Sequence, residues 1–211
     1  MEFKNIHRFQ SPEGISSRDK IALHYINMVL TTNGADEKTV WYAMRATYQR
    51  GMEAKAQLDK SLVENFIPMR YEMRVHNGRR RRELVPVIRN LIFVHTTPLL
   101  MKSLKQNMLF LQYLTEWKDG KRVPIVVPES QMQQFIAVSG TYDEQLIYLE
   151  PTELNLTKGT RVRICGGVFE GQEGTYLKLK GHRDKRVVVA IRGVIAVALA
   201  TVHPSMIEVI K

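Results

Sequence analysis

With 211 residues the chain can hold one large or two small domains, each able to bury a core, and two are expected. Its 31 lysines and arginines against 21 acidic residues leave a net charge of +10, which favours nucleic acid or ribonucleoprotein over acidic small molecules as partners. The lone Cys165 excludes an internal disulfide framework and a thiolate metal cluster, no apolar run is long enough to span a bilayer, and MEFKNIHRFQ lacks the basic-then-apolar order of a leader, so a cytoplasmic protein without a membrane partner is expected.

Residues 1–39 read as an extension. Met1 to Ser17 is polar and broken by Pro12 and Gly14, whereas Asp19 to Thr31 carries Ile21, Tyr25, Met28 and Val29 at helical spacing. One amphipathic helix is predicted there, its stripe packing on a neighbouring domain more readily than filling a partner's groove.

Residues 40–138 form the first organised block. Val40 to Thr47 is a strand by its aromatic and β-branched content. Met52 to Glu64 reads as a helix, with Ala56, Leu58, Leu62 and Val63 toward its inner face. Phe66 to Val75 is a strand, Asn77-Gly78 a turn, and Arg79 to Val85 its return. Arg89 to Thr96 is apolar on both faces and so central. Thr97-Pro98 caps a helix over Leu99–Lys105, because threonine accepts from a free first-turn amide and proline suits that turn. Leu109 to Trp117 is strand-like, Lys118-Asp119-Gly120-Lys121 turns, Val123 to Val127 is a short apolar segment, and Glu129 to Val138 is a last helix. The order β-α-β-β-α-β-α gives an antiparallel sheet backed by helices.

Residues 139–157 read as a semi-ordered joint, broken at Gly140, Asp143, Glu144 and Glu150-Pro151, with Leu146 to Leu149 apolar enough to dock. Residues 158–211 form a second block. Val162 and Ile164 alternate with Arg161 and Arg163, and the strand stops at Gly166-Gly167. Cys165 beside them reads as a small apolar filler. Phe169 either plugs the end of a small barrel or stands out as a contact residue. Gly174 is expected to supply a positive φ before Thr175 to Leu179 restarts a strand. Arg186 to Ile191, Val194 to Thr201 and Met206 to Ile210 complete about five short strands.

Four adjacent arginines, Arg79, Arg80, Arg81 and Arg82, are the sharpest local charge. They cannot all find carboxylates nearby, and a loop or hairpin can lay their guanidinium forks along a phosphate backbone. A solvated loop kept soluble by repulsion accounts for them equally well. Arg50, Lys55 and Lys60 can extend the same positive face. No His-x-Glu, His-Glu-x-x-His, Cys-x-x-Cys, P-loop or Gly-x-Gly-x-x-Gly is present, so neither a metal, a cofactor nor catalysis is expected. His95-Thr96-Thr97 reads as a strand end and helix cap rather than a polar site.

Lys158 to Tyr176 resembles a KOW motif, with Gly167-Val168-Phe169 in place of Gly-Pro-Phe. The block before it resembles the NGN domain of NusG-type transcription factors. Trp41-Tyr42 opens the first strand, and Val87-Ile88-Arg89-Asn90-Leu91-Ile92-Phe93-Val94 stands where the family has Phe-Pro-Gly/Asn-Tyr-Leu-Phe-Val. Arg45-Ala46-Thr47-Tyr48 followed by Arg50 is similar to specialised paralogues of the UpxY and RfaH kind. The resemblance implies an α+β protein with a ferredoxin-like NGN domain over 40–138, a linker over 139–157 and an SH3-like KOW barrel over 158–211. RfaH can fold the latter as a helical hairpin, but the β-branched content of Val194 to Ala200 argues for strand here.

By resemblance, Tyr42, Ile88, Leu91 and Phe93 lie in or beside an apolar hollow that takes the coiled-coil tip of the RNA polymerase clamp, with Phe110 on its flank. Each of them is also a candidate for plain core, since alternation turns some inward. Lys102 and Ser103 stand where RfaH has a polar run against the polymerase gate loop. The arginine hairpin faces upstream or non-template DNA. Phe169, Ile191 and Arg192 match family positions for a ribosomal protein or Rho, and Rho is the doubtful partner because Arg192 replaces an aromatic. These implications add up to a monomeric bacterial elongation and antitermination factor that suppresses pausing, operon-specific for polysaccharide genes. The rival is a KOW-type RNA-binding protein associated with ribosomes, which leaves the Trp41-Tyr42 strand and its sequel unexplained.

Overall fold

The computed structural model describes residues 38–150, 156–199 and 202–210, so the helix predicted over Asp19–Thr31 lies outside the described residues. Two strands carry the first half of the fold. β1 (Val40–Ala46) pairs with β5 (Leu91–Thr96) in antiparallel register from Val40 opposite Thr96 to Arg45 opposite Leu91. Both are buried on both faces, as strands this apolar must be if neither face is to meet water.

Around them, α1 (Gly51–Lys60), β2 (Asn65–Phe66), α2 (Pro98–Asn107), β6 (Leu111–Tyr113), β9 (Val126–Val127) and α3 (Glu129–Ser139) complete an α+β unit. The sheet order is β2-β5-β1-β6, with β9 also on β1. Alternation divides its side chains cleanly. Tyr42, Met44, Ala46, Ile92 and Val94 join Ala54 and Leu58 of α1 and Met101 and Leu104 of α2. Trp41, Ala43, Leu91 and Phe93 point the other way, to Met132, Phe135 and Val138 of α3.

The predicted cap is in place, with Thr97 Oγ1 accepting from the Leu100 amide at 3.3 Å ahead of Pro98. The first helix is shorter than predicted. It ends at Lys60, where Ser61 and Leu62 turn the chain, and Leu62 is 89% exposed at φ 54°. Its buried side is Ala54 and Leu58, and Ala56 is exposed, so the inner face is set one turn earlier than the apolar count suggests. The strand expected over Phe66–Val75 is two strands, because Pro68 interrupts it: β2 stays in the sheet, while β3 (Met69–His76) leaves with β4 (Arg79–Pro86) as a separate two-stranded ribbon. The strand expected over Leu109–Trp117 divides likewise at Leu114 into β6 and β7 (Thr115–Lys118), and β7 pairs with β8 (Lys121–Pro124).

β10 (Ile147–Leu149), β11 (Thr160–Ile164), β12 (Glu173–Lys178), β13 (Lys185–Ile191), β14 (Ile195–Ala198) and β15 (Ile207–Val209) form a six-stranded antiparallel sheet in the order β10-β14-β13-β12-β11-β15. Within the alanine-rich stretch, Ile195–Ala198 is strand and not helix, as its β-branched residues favour. The segment read as a joint contributes β10, with Ile147 opposite Ala198 and Leu149 opposite Ala196. α3 packs on β13 and β14 as well as β1, and Gln131 Nε2 donates to the Ala190 carbonyl at 2.7 Å. As a result Trp41, Phe93, Phe135, Val189, Ile191 and Val197 belong to one contiguous apolar cluster, and Thr39–Lys211 is one compact unit.

Two local readings of the second block change. The positive φ lies at Gly167 and Gly171, each at 82°, and not at Gly174. Gly174 sits inside β12, where an added Cβ would lie 2.7 Å from Val187 Cγ1 and 2.8 Å from the Val188 carbonyl oxygen, so the position needs glycine for close approach of β13 rather than for a turn. Cys165 is exposed and fills no gap. Gly174→Ala should therefore destabilise the fold by about 1–3 kcal/mol through overpacking. Chemical denaturation against the parent chain measures it, and an unchanged midpoint would show that β12 and β13 can separate freely.

Candidate functional site

β3 and β4 are eight residues each, joined by Asn77 at φ 49° and Gly78 at φ 76°. Two successive left-handed residues match the right-handed twist of a hairpin, and asparagine followed by glycine is the pair that adopts them most readily. Facing residues share a side of the ribbon, so register decides what each side offers. Glu72 faces Glu83, Arg74 faces Arg81, and His76 faces Arg79 on one side; Tyr71 faces Leu84, Met73 faces Arg82, and Val75 faces Arg80 on the other.

The first side is partly self-neutralised. Arg70 pairs with Glu72 at 2.6 Å, Arg74 lies 3.6 Å from Glu72, and His76 Nε2 lies 2.9 Å from Glu83. Arg70, chiefly by its hydrogen bonds and then by its charge, holds the Glu72 carboxyl below the ordinary glutamate value, with Arg74 adding to the effect. On the second side Arg82 lies over the Tyr71 ring at 3.8 Å and pairs with Glu144, which fixes the base of the ribbon to the segment after α3. Arg79, Arg80 and Arg81 are exposed, and no carboxylate among the described residues is in ion-pair range of them. The predicted run of four thus separates into one docked arginine and three presented to solvent.

Arg50 and Lys55 sit elsewhere and have local partners. Arg50 binds Glu53 and lies over the Phe110 ring at 3.8 Å, and Lys55 Nζ lies 3.1 Å from Asp59 and 3.3 Å from Asn65 Oδ1. Lys60 is exposed at the end of α1.

The apolar residues expected in or beside one hollow fall on opposite sides of the sheet. Tyr42 and Phe110 belong to the α1 and α2 side, whereas Leu91, Phe93 and the half-buried Ile88 belong to the α3 side. Phe93 is 0% exposed, with Phe135 of α3 at 6.0 Å between ring centres. Ile88 and Phe110 keep partial exposure, while Tyr42, Leu91 and Phe93 are core. Lys102 is exposed and Ser103 half-buried on α2. In the six-stranded sheet Ile191 is buried, Phe169 packs half-buried against the same cluster as a plug, and Arg192 is exposed beside Gly193. Among the described residues no group of three or more histidines, cysteines or carboxylates could hold a metal ion, and no helix is long and apolar enough to cross a membrane.

A family model described as NusG, transcription termination factor nusG, matches residues 39–136, a little under half of the chain. That segment is similar to a NusG-family domain. The matched stretch takes in the five-stranded sheet, both two-stranded hairpins, α1, α2 and most of α3, so the arginine ribbon lies within it. The six-stranded sheet lies outside the matched residues. A solved structure described as domain interaction in Thermotoga maritima NusG is similar at 22% identity, covering 82% of this chain and 98% of that one, with a TM-score of 0.41. Comparison with curated proteins gives no match.

In an NMR titration the Glu72 carboxyl should titrate below an ordinary glutamate, and Arg70→Ala should move its midpoint back up. Because the folded value is the lower one, the stability this carboxylate adds is present above its unfolded value and is lost as pH falls through the folded one. A midpoint indifferent to Arg70→Ala would remove Arg70 as the cause.

Proposed function

We propose that this protein is a transcription elongation and antitermination factor of the NusG type with no catalysis of its own. The observation that carries the reading is the family match over residues 39–136. In it, the NusG domain binds the clamp of a bacterial RNA polymerase and favours the closed clamp by binding that state better than the open one, which suppresses pausing and termination. Ile88, at the margin of the α3 side with Leu91 and Phe93 beneath it, marks the edge of the apolar contact. Lys102 and Ser103 approach the polymerase from α2.

The ribbon supports the nucleic-acid half of the reading. Arg79, Arg80 and Arg81 extend from the sheet without carboxylate partners among the described residues, as a contact to upstream or non-template DNA requires. The C-terminal block, as a KOW domain, recruits a second machine through Phe169 and Arg192, with a ribosomal protein as the partner, and residues 139–157 act as the joint between the two domains. The wording of Arg45 to Tyr48 supports service to a particular operon, with surface polysaccharide genes as the expected class.

Capture of RNA polymerase by the full chain tests the clamp contact. Ile88→Asp should reduce capture, with a thermal melt confirming that the variant folds, and capture equal to the parent's would sink the proposed contact. For the ribbon, changing Arg79, Arg80 and Arg81 together to alanine should lower the slope of log affinity for DNA against log salt by about 3, roughly 0.9 for each phosphate no longer neutralised. An unaltered slope would mean that these arginines are merely solvated.

A further inference from the structure

The chain leaves the five-stranded sheet at Leu114, whose amide donates to the Ala43 carbonyl at 2.9 Å, and rejoins it at Ile125, whose amide donates to the Leu114 carbonyl at 2.9 Å. Between those two anchors β7 and β8 project as a hairpin that pairs with no other strand among the described residues. Asp119 at φ 50° and Gly120 at φ 75° close it with the same left-handed two-residue turn that closes the arginine ribbon. Every residue from Thr115 to Arg122 is exposed, and Trp117 is 70% exposed. Trp117 faces Arg122, with the guanidinium carbon 5.5 Å from the ring centre, and Lys118 faces Lys121 one step nearer the turn. No carboxylate among the described residues is in ion-pair range of Lys118, Lys121 or Arg122.

Single exposed apolar residues are ordinary on a protein surface. Here the largest side chain of all stands on an arm whose outer residues are all exposed. Arg122 lies beside it on the same side of the hairpin, Lys118 and Lys121 lie on the other side next to the turn, and no described carboxylate answers any of the three. We propose that the β7–β8 hairpin binds an unpaired nucleic-acid strand, one base stacking on Trp117 while Arg122 on the same side takes an adjoining phosphate and Lys118 and Lys121, at the turn, draw the backbone as it passes round the tip.

The chemistry selects this occupant. Stacking needs a base with a free face, and a duplex covers those faces with neighbouring pairs, so the ring is of use only against an unpaired strand. A protein partner would want the indole at the centre of an apolar patch, whereas Trp117 shares its side of the hairpin with Thr115, Arg122 and Pro124 only, and the other side carries Glu116, Lys118, Lys121 and Val123. The net charge of +10 brings a polyanion to the surface in the first place. The hairpin can be tested apart from the polymerase contact, and apart from the arginine ribbon, which carries no tryptophan.

The other tryptophan of the chain, Trp41, is 1% exposed, so emission changes on binding report on Trp117. The full chain is titrated with oligothymidylate, with oligouridylate, and with oligothymidylate annealed to oligoadenylate, following tryptophan emission and the anisotropy of a labelled oligonucleotide. Both single strands should quench the emission, since stacking is indifferent to the sugar, and the duplex should not. Trp117→Ala should weaken single-strand binding by about 5- to 100-fold, the loss of one stacked base, and Trp117→Phe should restore part of it. Quenching by the duplex equal to that by the single strands, or unchanged single-strand affinity in Trp117→Ala, overturns the proposal. So does loss of polymerase capture by Trp117→Ala with single-strand binding intact, since that would make the indole a protein anchor.

Discussion

The antiparallel pairing of β1 with β5 is the constraint from which the rest follows. Six consecutive facing pairs, from Val40 with Thr96 to Arg45 with Leu91, fix the register, and a slip of one residue would turn Tyr42 and Met44 away from the helices α1 and α2 and Trp41 and Ala43 toward them. Because the two strands fill both sides of the sheet with apolar side chains, helices must cover both sides. α1 and α2 cover one and α3 the other. α3 in turn has a second apolar contact with β13 and β14, which is how the C-terminal sheet comes to share a cluster with Phe93 and Trp41.

The same constraint explains where binding groups can be. A sheet so completely covered offers few large apolar side chains of its own, and the exposed chemistry is displaced onto the two hairpins that leave it. Both depart where the chain is denied a place in the sheet, after Pro68 and after Leu114, and both are closed by a residue pair with two positive φ angles. One hairpin presents guanidinium groups, the other an indole beside a single guanidinium. A rigid support with polar arms keeps the arms' backbone ordered while leaving their side chains free to meet a ligand.

Much of this is written locally in the sequence. The aromatic and β-branched run Val40 to Ala46, the apolar run at Leu91, the Thr97-Pro98 cap and the Asn77-Gly78 turn each depend on residues within a few positions of one another, and each is where the sequence places it. What depends on partners far along the chain is not legible. Tyr42 and Phe93 look alike as apolar strand residues, and only the register between their strands shows that they serve opposite faces. Gly174 reads as a turn glycine among other glycines until β13 is brought against it. Trp117 reads as the end of a continuous strand because nothing in the run Leu109–Trp117 announces that the chain departs at Leu114. Arg50 and Lys55 read as part of a positive face, and it takes the geometry of α1 to show that Glu53 and Asp59, three and four residues on, answer them. The division of the four arginines into one docked and three presented requires Glu144, which lies beyond the next five strands and two helices.

β10 sets a length scale. From the last residue of α3, Ser139, to the first of β10, Ile147, the backbone takes eight steps, so the fully stretched path between them is at most about 28 Å. While Ile147–Leu149 keeps its ladder with Ala196–Ala198, the C-terminal sheet is on a leash of that reach, too short to roam far from the helix it now touches. That three-residue ladder sets the reach of the tether, while the apolar cluster shared with α3 holds the sheet where it lies.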